Sequence, residues 1–158
     1  MRSLTLLRHA KAETDSATGD DLDRKLTERG RRNAERLGEE LRALGLDYDL
    51  VLSSPAKRAV ETVECLGGFA AAFDEAIYNA SPGELMEIVR ALPAEAARVM
   101  MVGHNPGFER LADMLTHGAV HEMPTCSLAE IHLQVADWKE VEPALGGLGL
   151  FIDPKELD

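Results

Sequence analysis

The sequence predicts an α/β fold: a three-layer α/β/α sandwich on a mainly parallel central sheet. Three observations predict it. Short apolar runs alternate with amphipathic stretches along the chain. Capping and stop residues bracket the amphipathic stretches as they do helices. The first run, with Leu4, Leu6 and Leu7, and the later "ARVMMVG" read as strands buried on both faces, the pattern of a sheet covered by helices on each side. At 158 residues the chain has the size of one domain and can bury a core without disulfides or a structural metal, so residues 1–158 are taken as a single domain.

In chain order, residues 3–8 form the first strand. Thr27 caps a helix that runs to about Leu44 and stops at Gly45. "YDLVLSS" is the second strand, and Ser54-Pro55 opens a helix that ends at Gly67-Gly68. Residues 69–74 read as a weak third strand. Ser81-Pro82 begins a helix through Leu92, ended by Pro93. "ARVMMVG" is the fourth strand, and residues 106–117 are the next helix. "SLAEIHLQV" alternates like a half-exposed strand, and "LGLFI" reads as one more, with antiparallel pairing expected near the C-terminus. The polar, acidic stretch 11–25 is long for a βα connection, and loops of that length are often functional.

Composition narrows the function. With 28 acidic against 17 basic side chains the net charge is -11, which argues against nucleic-acid and anionic-membrane partners. No apolar run approaches the ~18 residues of a membrane span, and the N-terminus lacks a signal-peptide pattern. A cytoplasmic protein is expected. Cys65 and Cys126 are far apart and read as packing thiols rather than a metal or redox pair. An anion site in such a chain must be built locally.

In open α/β sheets ligands collect at the carboxyl ends of the parallel strands, beside helix N-termini. Arg8 and His9 follow the first strand. "SSPAKRA" follows the second, placing Arg58 on a first helical turn from which it reaches back over the strand ends. "GHNPG" follows the fourth, with His104 in a tight turn between Gly103 and Gly107, Asn105 able to cap, and Pro106 able to start the helix. Two arginines and two histidines thus converge. Two guanidinium groups suit a phosphoryl group, which accepts bidentate contacts. One neutral imidazole can then attack phosphorus while the other donates a hydrogen bond to the equatorial oxygens. Nearby cations lower the nucleophile's pKa. The arrangement requires neither metal nor cofactor.

"LLRHA", "SSPAKRAVET" and "GHNPG" together resemble the histidine phosphatase superfamily, the phosphoglycerate-mutase-like group. The short chain, "RKLTERGRRNAERLG" and the closing "FIDPKEL" resemble its small SixA-type phosphohistidine phosphatases. The resemblance implies a phosphoglycerate-mutase-like fold, with His9 as the nucleophile that becomes phosphorylated and is then hydrolysed. It also implies that Arg8 and Arg58 hold the phosphoryl oxygens and that His104 completes the pocket.

The sequence departs from the family pattern in places. Ala10 stands where Gly is commoner after the Arg-His pair. Thr14 and Ser16 are the available hydroxyls for a phosphate contact shortly after that pair, and Lys11 or Arg24 could add charge. Larger relatives insert a helical segment and draw a carboxylic acid from the region after the third strand. Here Glu75 and Glu84 are the nearest carboxyls, and the insertion is absent. A phosphohistidine expels neutral imidazole once protonated, whereas an alkoxide needs a proton donor. The expected substrate is therefore a phosphohistidine on a protein. The alternatives are a small phosphate ester or, from another class, a non-catalytic phosphate-binding module; a mutase lacks its enclosing segments. His117 and His121 have helical metal-ligand spacing, but Gly118 interrupts the helix, and no metal is expected. Trp138 and Tyr78 read as packing residues, with Tyr78 able to border the pocket.

Overall fold

Leu4 and Leu6 point to one face of the first strand, β1 (Arg2–Arg8), and Leu7 to the other. In the computed structural model, which describes residues 1–157, β1 lies inside a six-stranded sheet. The other strands are β2 (Leu50–Ser53), β3 (Ala72–Phe73), β4 (Arg98–Gly103), β5 (Leu128–Leu133) and β6 (Gly146–Ile152), in the order β3-β2-β4-β1-β5-β6. The β3–β2, β2–β4 and β4–β1 pairings are parallel, and the β1–β5 and β5–β6 pairings antiparallel. The α/β sandwich stands, on a sheet that is mixed rather than mainly parallel. Residues 117–127 lead back to the carboxyl end of β1, where the Cys126 N–H reaches the Arg8 and His9 carbonyls. The chain then enters β5 from that end and runs antiparallel to β1.

Two helices cover each face. α1 (Glu28–Ala43) and α2 (Lys57–Leu66) bury Ala34, Leu37, Leu41, Val63 and Leu66 against Leu7, Met100 and Val102. On the other face α3 (Pro82–Arg90) and α4 (Gly107–Thr116) bury Leu85, Val89, Phe108 and Leu115 against Leu4, Leu6 and Met101. The expected punctuation is seen in the caps. Thr27 accepts the Gly30 N–H at 2.9 Å, and Ser81 forms a reciprocal capping box with Glu84. α1 and α2 meet backbone to backbone at Gly38: a Cβ there would stand 1.9 Å from the Leu66 carbonyl oxygen. That contact fixes α2, and with it Arg58, over the sheet.

Two local expectations change. α2 begins at Lys57, not at Ser54-Pro55, and the Ser54 hydroxyl is used elsewhere. β5 is not half-exposed: Ala129, Ile131 and Leu133 pack into one core and Leu128 into the other. Glu130 is buried there and bonds His132 at 2.8 Å. Trp138 is fully buried and donates to the Ala96 carbonyl at 2.7 Å, a packing role. Both cysteines are free. Among the described residues no helix is long and apolar enough to cross a membrane.

Candidate active site

The end of β1 is held from three directions. The Arg8 N–H donates to the Ser127 carbonyl at 3.1 Å and the His9 N–H to the Gly103 carbonyl at 3.1 Å. The Ala10 N–H donates to Thr62 Oγ1 at 3.0 Å, and that hydroxyl donates to the Arg58 carbonyl at 2.7 Å. Thr62 therefore ties the first turn of α2 to the residue after His9, and the two expected site residues move as one unit. Ala10 is fully buried, which explains a small residue at that position.

The hydrogen bonds also set the histidine tautomers. His9 Nδ1 lies 2.7 Å from the Ala10 carbonyl oxygen, which can only accept, so Nδ1 carries the proton and Nε2 keeps its lone pair. His104 Nε2 lies 2.7 Å from Ser54 Oγ. That hydroxyl accepts the Ala56 N–H at 3.2 Å, and among the described residues Nε2 is the acceptor within reach of its own proton; with that bond made, the ring proton of His104 sits on Nδ1. His104 Nδ1 is buried and has no partner within the protein. One imidazole thus presents a nucleophilic nitrogen and the other an N–H donor, their ring centroids 5.3 Å apart.

Electrostatics keep both rings neutral. His9 falls to a pKa of about 4, first through burial and then through Arg58, Arg8 and Arg24, partly opposed by its hydrogen bond to Ala10. His104 falls to about 3, through burial and then the neighbouring His9 and Arg58. Arg8 donates from Nη1 to the Met123 carbonyl at 3.0 Å, and the Nε groups of Arg8 and Arg58 are buried without protein partners. These unpartnered donors belong to the two guanidinium groups expected to grip an anion.

Arg8, His9, Arg58 and His104 line one cavity of about 270 Å³, with Lys11 and Arg24 also in its wall. All four predicted residues are brought together, and the two basic side chains that sequence left as options join them. A larger hollow of about 630 Å³ lies between β2 and α3, but no histidine or arginine lines it. The paired histidines and the arginines are at the smaller cavity.

Other sequence candidates lie elsewhere. Glu75 is an exposed residue at the start of the 3-10 turn Glu75–Ile77, and Glu84 is engaged in the α3 capping box; neither lines the cavity. Thr14 and Ser16 line a separate acidic hollow with Asp15 and Asp20. His121 pairs with Asp113 at 3.4 Å, and no cluster among the described residues has the composition of a metal site. Asn105 does cap, accepting the Glu109 N–H at 3.3 Å, although α4 itself starts at Gly107. Tyr78 does border the site, its ring edge-on to His104 at 5.5 Å and 88°.

Sequence reasoning missed three features. Asn79, in a left-handed conformation at φ 56°, and Thr125 line the cavity from segments without periodicity. The Ser54 hydroxyl serves His104 instead of capping a helix. Asp21, in the long acidic loop, accepts from Arg58 Nη2 at 3.0 Å, from Arg24 Nε at 2.9 Å and from the Tyr78 hydroxyl at 2.5 Å. The local signal near it is Asp20, whose carboxylate caps the 3-10 turn Asp21–Asp23.

Residues 4–83 match the family model described as histidine phosphatase superfamily (branch 1). An uncharacterized protein of Mycobacterium tuberculosis (strain H37Rv) is 34% identical over 160 residues, spanning 94% of this chain and 100% of its own. Among solved structures, a candidate phosphohistidine phosphatase SixA from Agrobacterium tumefaciens superimposes with a TM-score of 0.81 at 28% identity, over 96% of this chain and 97% of that one. Another from Nakamurella multipartitia gives 0.79 at 27% identity, over 96% and 95%.

Proposed function

This chain belongs to the histidine phosphatase superfamily, and we propose that within it the protein hydrolyses phosphohistidine on other proteins, through a phosphorylated His9. The observation that carries this reading is the paired tautomers: a free His9 Nε2 and a His104 Nδ1–H belong to residues that line one cavity with the half-buried Arg8 and the buried Arg58.

The phosphoryl group enters with its oxygens on Arg8 and Arg58. His9 Nε2 attacks in line, forming a P–N bond as the bond to the leaving group breaks with its electron pair. Charge grows on the equatorial oxygens, where the His104 Nδ1–H donates without reorganisation because Ser54 already fixes the ring. Burial among cations holds His9 unprotonated at neutral pH, so the attacking lone pair is present in almost every molecule. Water then attacks the phosphorus of phospho-His9 and releases inorganic phosphate.

The leaving group decides the substrate. No carboxyl side chain lines the cavity among the described residues, so the wall offers no carboxylic acid to protonate an alkoxide. A protonated phosphoimidazole needs none. It leaves as neutral imidazole once the P–N bond breaks. The SixA neighbours, named as phosphohistidine phosphatases, support the same choice.

The test compares kcat/KM for a phosphohistidine peptide and for a panel of phosphate esters, with His9→Ala as control. The expected result is turnover of the peptide in preference to the esters and none in His9→Ala. Turnover surviving in His9→Ala refutes the mechanism, and a wild-type preference for esters refutes the substrate. Because phosphohistidine is acid-labile, the intermediate is trapped by an alkaline quench.

A further inference from the structure

The loop between β1 and α1 carries no expected catalytic residue, yet it sends one carboxylate to the edge of the site. Asp21 meets Arg58 twice: its backbone carbonyl accepts from Nη1 at 2.8 Å, and Oδ2 accepts from Nη2 at 3.0 Å. The burial of the two partners is unequal. The Arg58 side chain is 5% exposed and that of Asp21 47%, so a buried guanidinium is pinned by a carboxylate arriving from outside. Both Nη atoms of Arg58 are held in this way, while Nε is left without a protein partner. The fork is thereby oriented without being used up.

The same oxygen fixes a residue that packs against the site. Asp21 Oδ2 also accepts the Tyr78 hydroxyl at 2.5 Å, and the Arg58 guanidinium lies over the Tyr78 ring at 6.0 Å. Tyr78 in turn stands edge-on to His104. One carboxylate oxygen therefore joins Arg58, which lines the phosphoryl cavity, to Tyr78, which packs on His104 in its wall. Oδ1 is held by Arg24, another lining residue. Tyr78, Arg24 and Arg58 hold the Asp21 carboxyl well below the usual carboxylate range, so it is charged at working pH and cannot act as a proton donor.

We propose that Asp21 is a positioning residue for Arg58 and Tyr78, and that its fixed negative charge at the rim selects for leaving groups that carry positive charge. A protonated phosphoimidazole is such a group, stabilised beside a carboxylate. An ester oxygen that gains negative charge as its bond to phosphorus breaks is disfavoured there. The selectivity half of the inference rests on the proposed phosphohistidine activity; the positioning half does not. The chemical step is unchanged: His9 Nε2 gains the phosphoryl group, and the imidazole nitrogen of the substrate keeps the electron pair of the broken P–N bond.

Two variants separate the roles. Asp21→Asn keeps an acceptor for Arg58 and removes the charge; Asp21→Ala removes both. The readouts are kcat/KM for a phosphohistidine peptide and for p-nitrophenyl phosphate, and the inhibition constant of inorganic phosphate. In Asp21→Asn the ratio of peptide to ester kcat/KM is expected to fall about tenfold, with the phosphate constant within about twofold of wild type. In Asp21→Ala the phosphate constant is expected to rise about tenfold, with partial recovery in Asp21→Glu. Equal losses on both substrates in Asp21→Asn overturn the selectivity. An unchanged phosphate constant in Asp21→Ala overturns the positioning. A wild-type enzyme inactive on the peptide refutes the proposed substrate and the selectivity with it, while the phosphate constants still decide the positioning.

Discussion

Lowering the pH from neutrality to about 4.5 should destabilise the protein through its two site histidines in particular. Their folded-state pKa values are about 4 for His9 and about 3 for His104, against 6.5 for an unperturbed imidazole. The folded state therefore refuses protons that the unfolded chain accepts, and stability falls as pH drops below the unfolded value of 6.5. Each pKa unit is worth about 1.4 kcal/mol, so over the roughly two units from 6.5 to 4.5 each histidine costs about 2.5 kcal/mol and the pair about 5 kcal/mol. That is comparable to the whole stability of a marginal domain. Most of the loss falls in the window between the unfolded value and the folded ones; the slope from these residues fades over the pH unit or so above 6.5 and is negligible above pH about 8. The assay is urea denaturation across this pH range for wild type and for the double variant His9→Gln, His104→Gln. The carboxylates contribute alike to both proteins, so the difference between the two curves isolates the histidines. Wild-type stability should fall more steeply than that of the double variant between pH about 6.5 and about 4.5. Parallel curves would refute the claim that both rings are held neutral by burial among cations.

Further outcomes follow from single contacts. Ser54→Ala removes the hydroxyl that serves His104 Nε2, leaves a buried ring nitrogen unpaired, and should cost about 1–3 kcal/mol in chemical denaturation while lowering kcat more than it raises KM. Gly38→Ala drives a methyl group into the Leu66 carbonyl at the α1–α2 contact; a loss of about 3 kcal/mol or more in urea denaturation is expected, and a neutral result would contradict the close approach. Glu75→Gln should leave kcat/KM for the phosphohistidine peptide within about twofold, since removing a working general acid costs about 100-fold or more; Glu75 is exposed and does not line the cavity.

What could be read from the chain and what could not divide along a physical line. Arg8, His9, Arg58 and His104 each sit at or just beyond the carboxyl end of a parallel strand, and the rule that ligands gather there needs only local pattern. Thr27 and Ser81 were readable for the same reason, as caps act within one turn. Antiparallel pairing near the C-terminus is expected and found, but that β5 lies directly beside β1 was not readable, because it depends on how residues 117–127 lead back to β1 and no local pattern encodes it. Burial of β5 on both faces follows from the packing of its side chains into both cores, again a non-local fact. Asp21 is the sharpest case. Its loop is acidic throughout, so nothing in "TGDDLDRK" separates the carboxylate that meets Arg58, 37 positions away, from its exposed neighbours. The hydroxyl of Ser54 was misassigned for a related reason: next to Pro55 it looks like a helix cap, and its use depends on a histidine 50 positions on. The residues proposed to meet the phosphoryl group are therefore written in local sequence. The parts that orient them, Asp21 on Arg58 and Ser54 on His104, exist only once the sheet has brought distant segments together, and substitutions at those two residues test the fold's contribution to catalysis most directly.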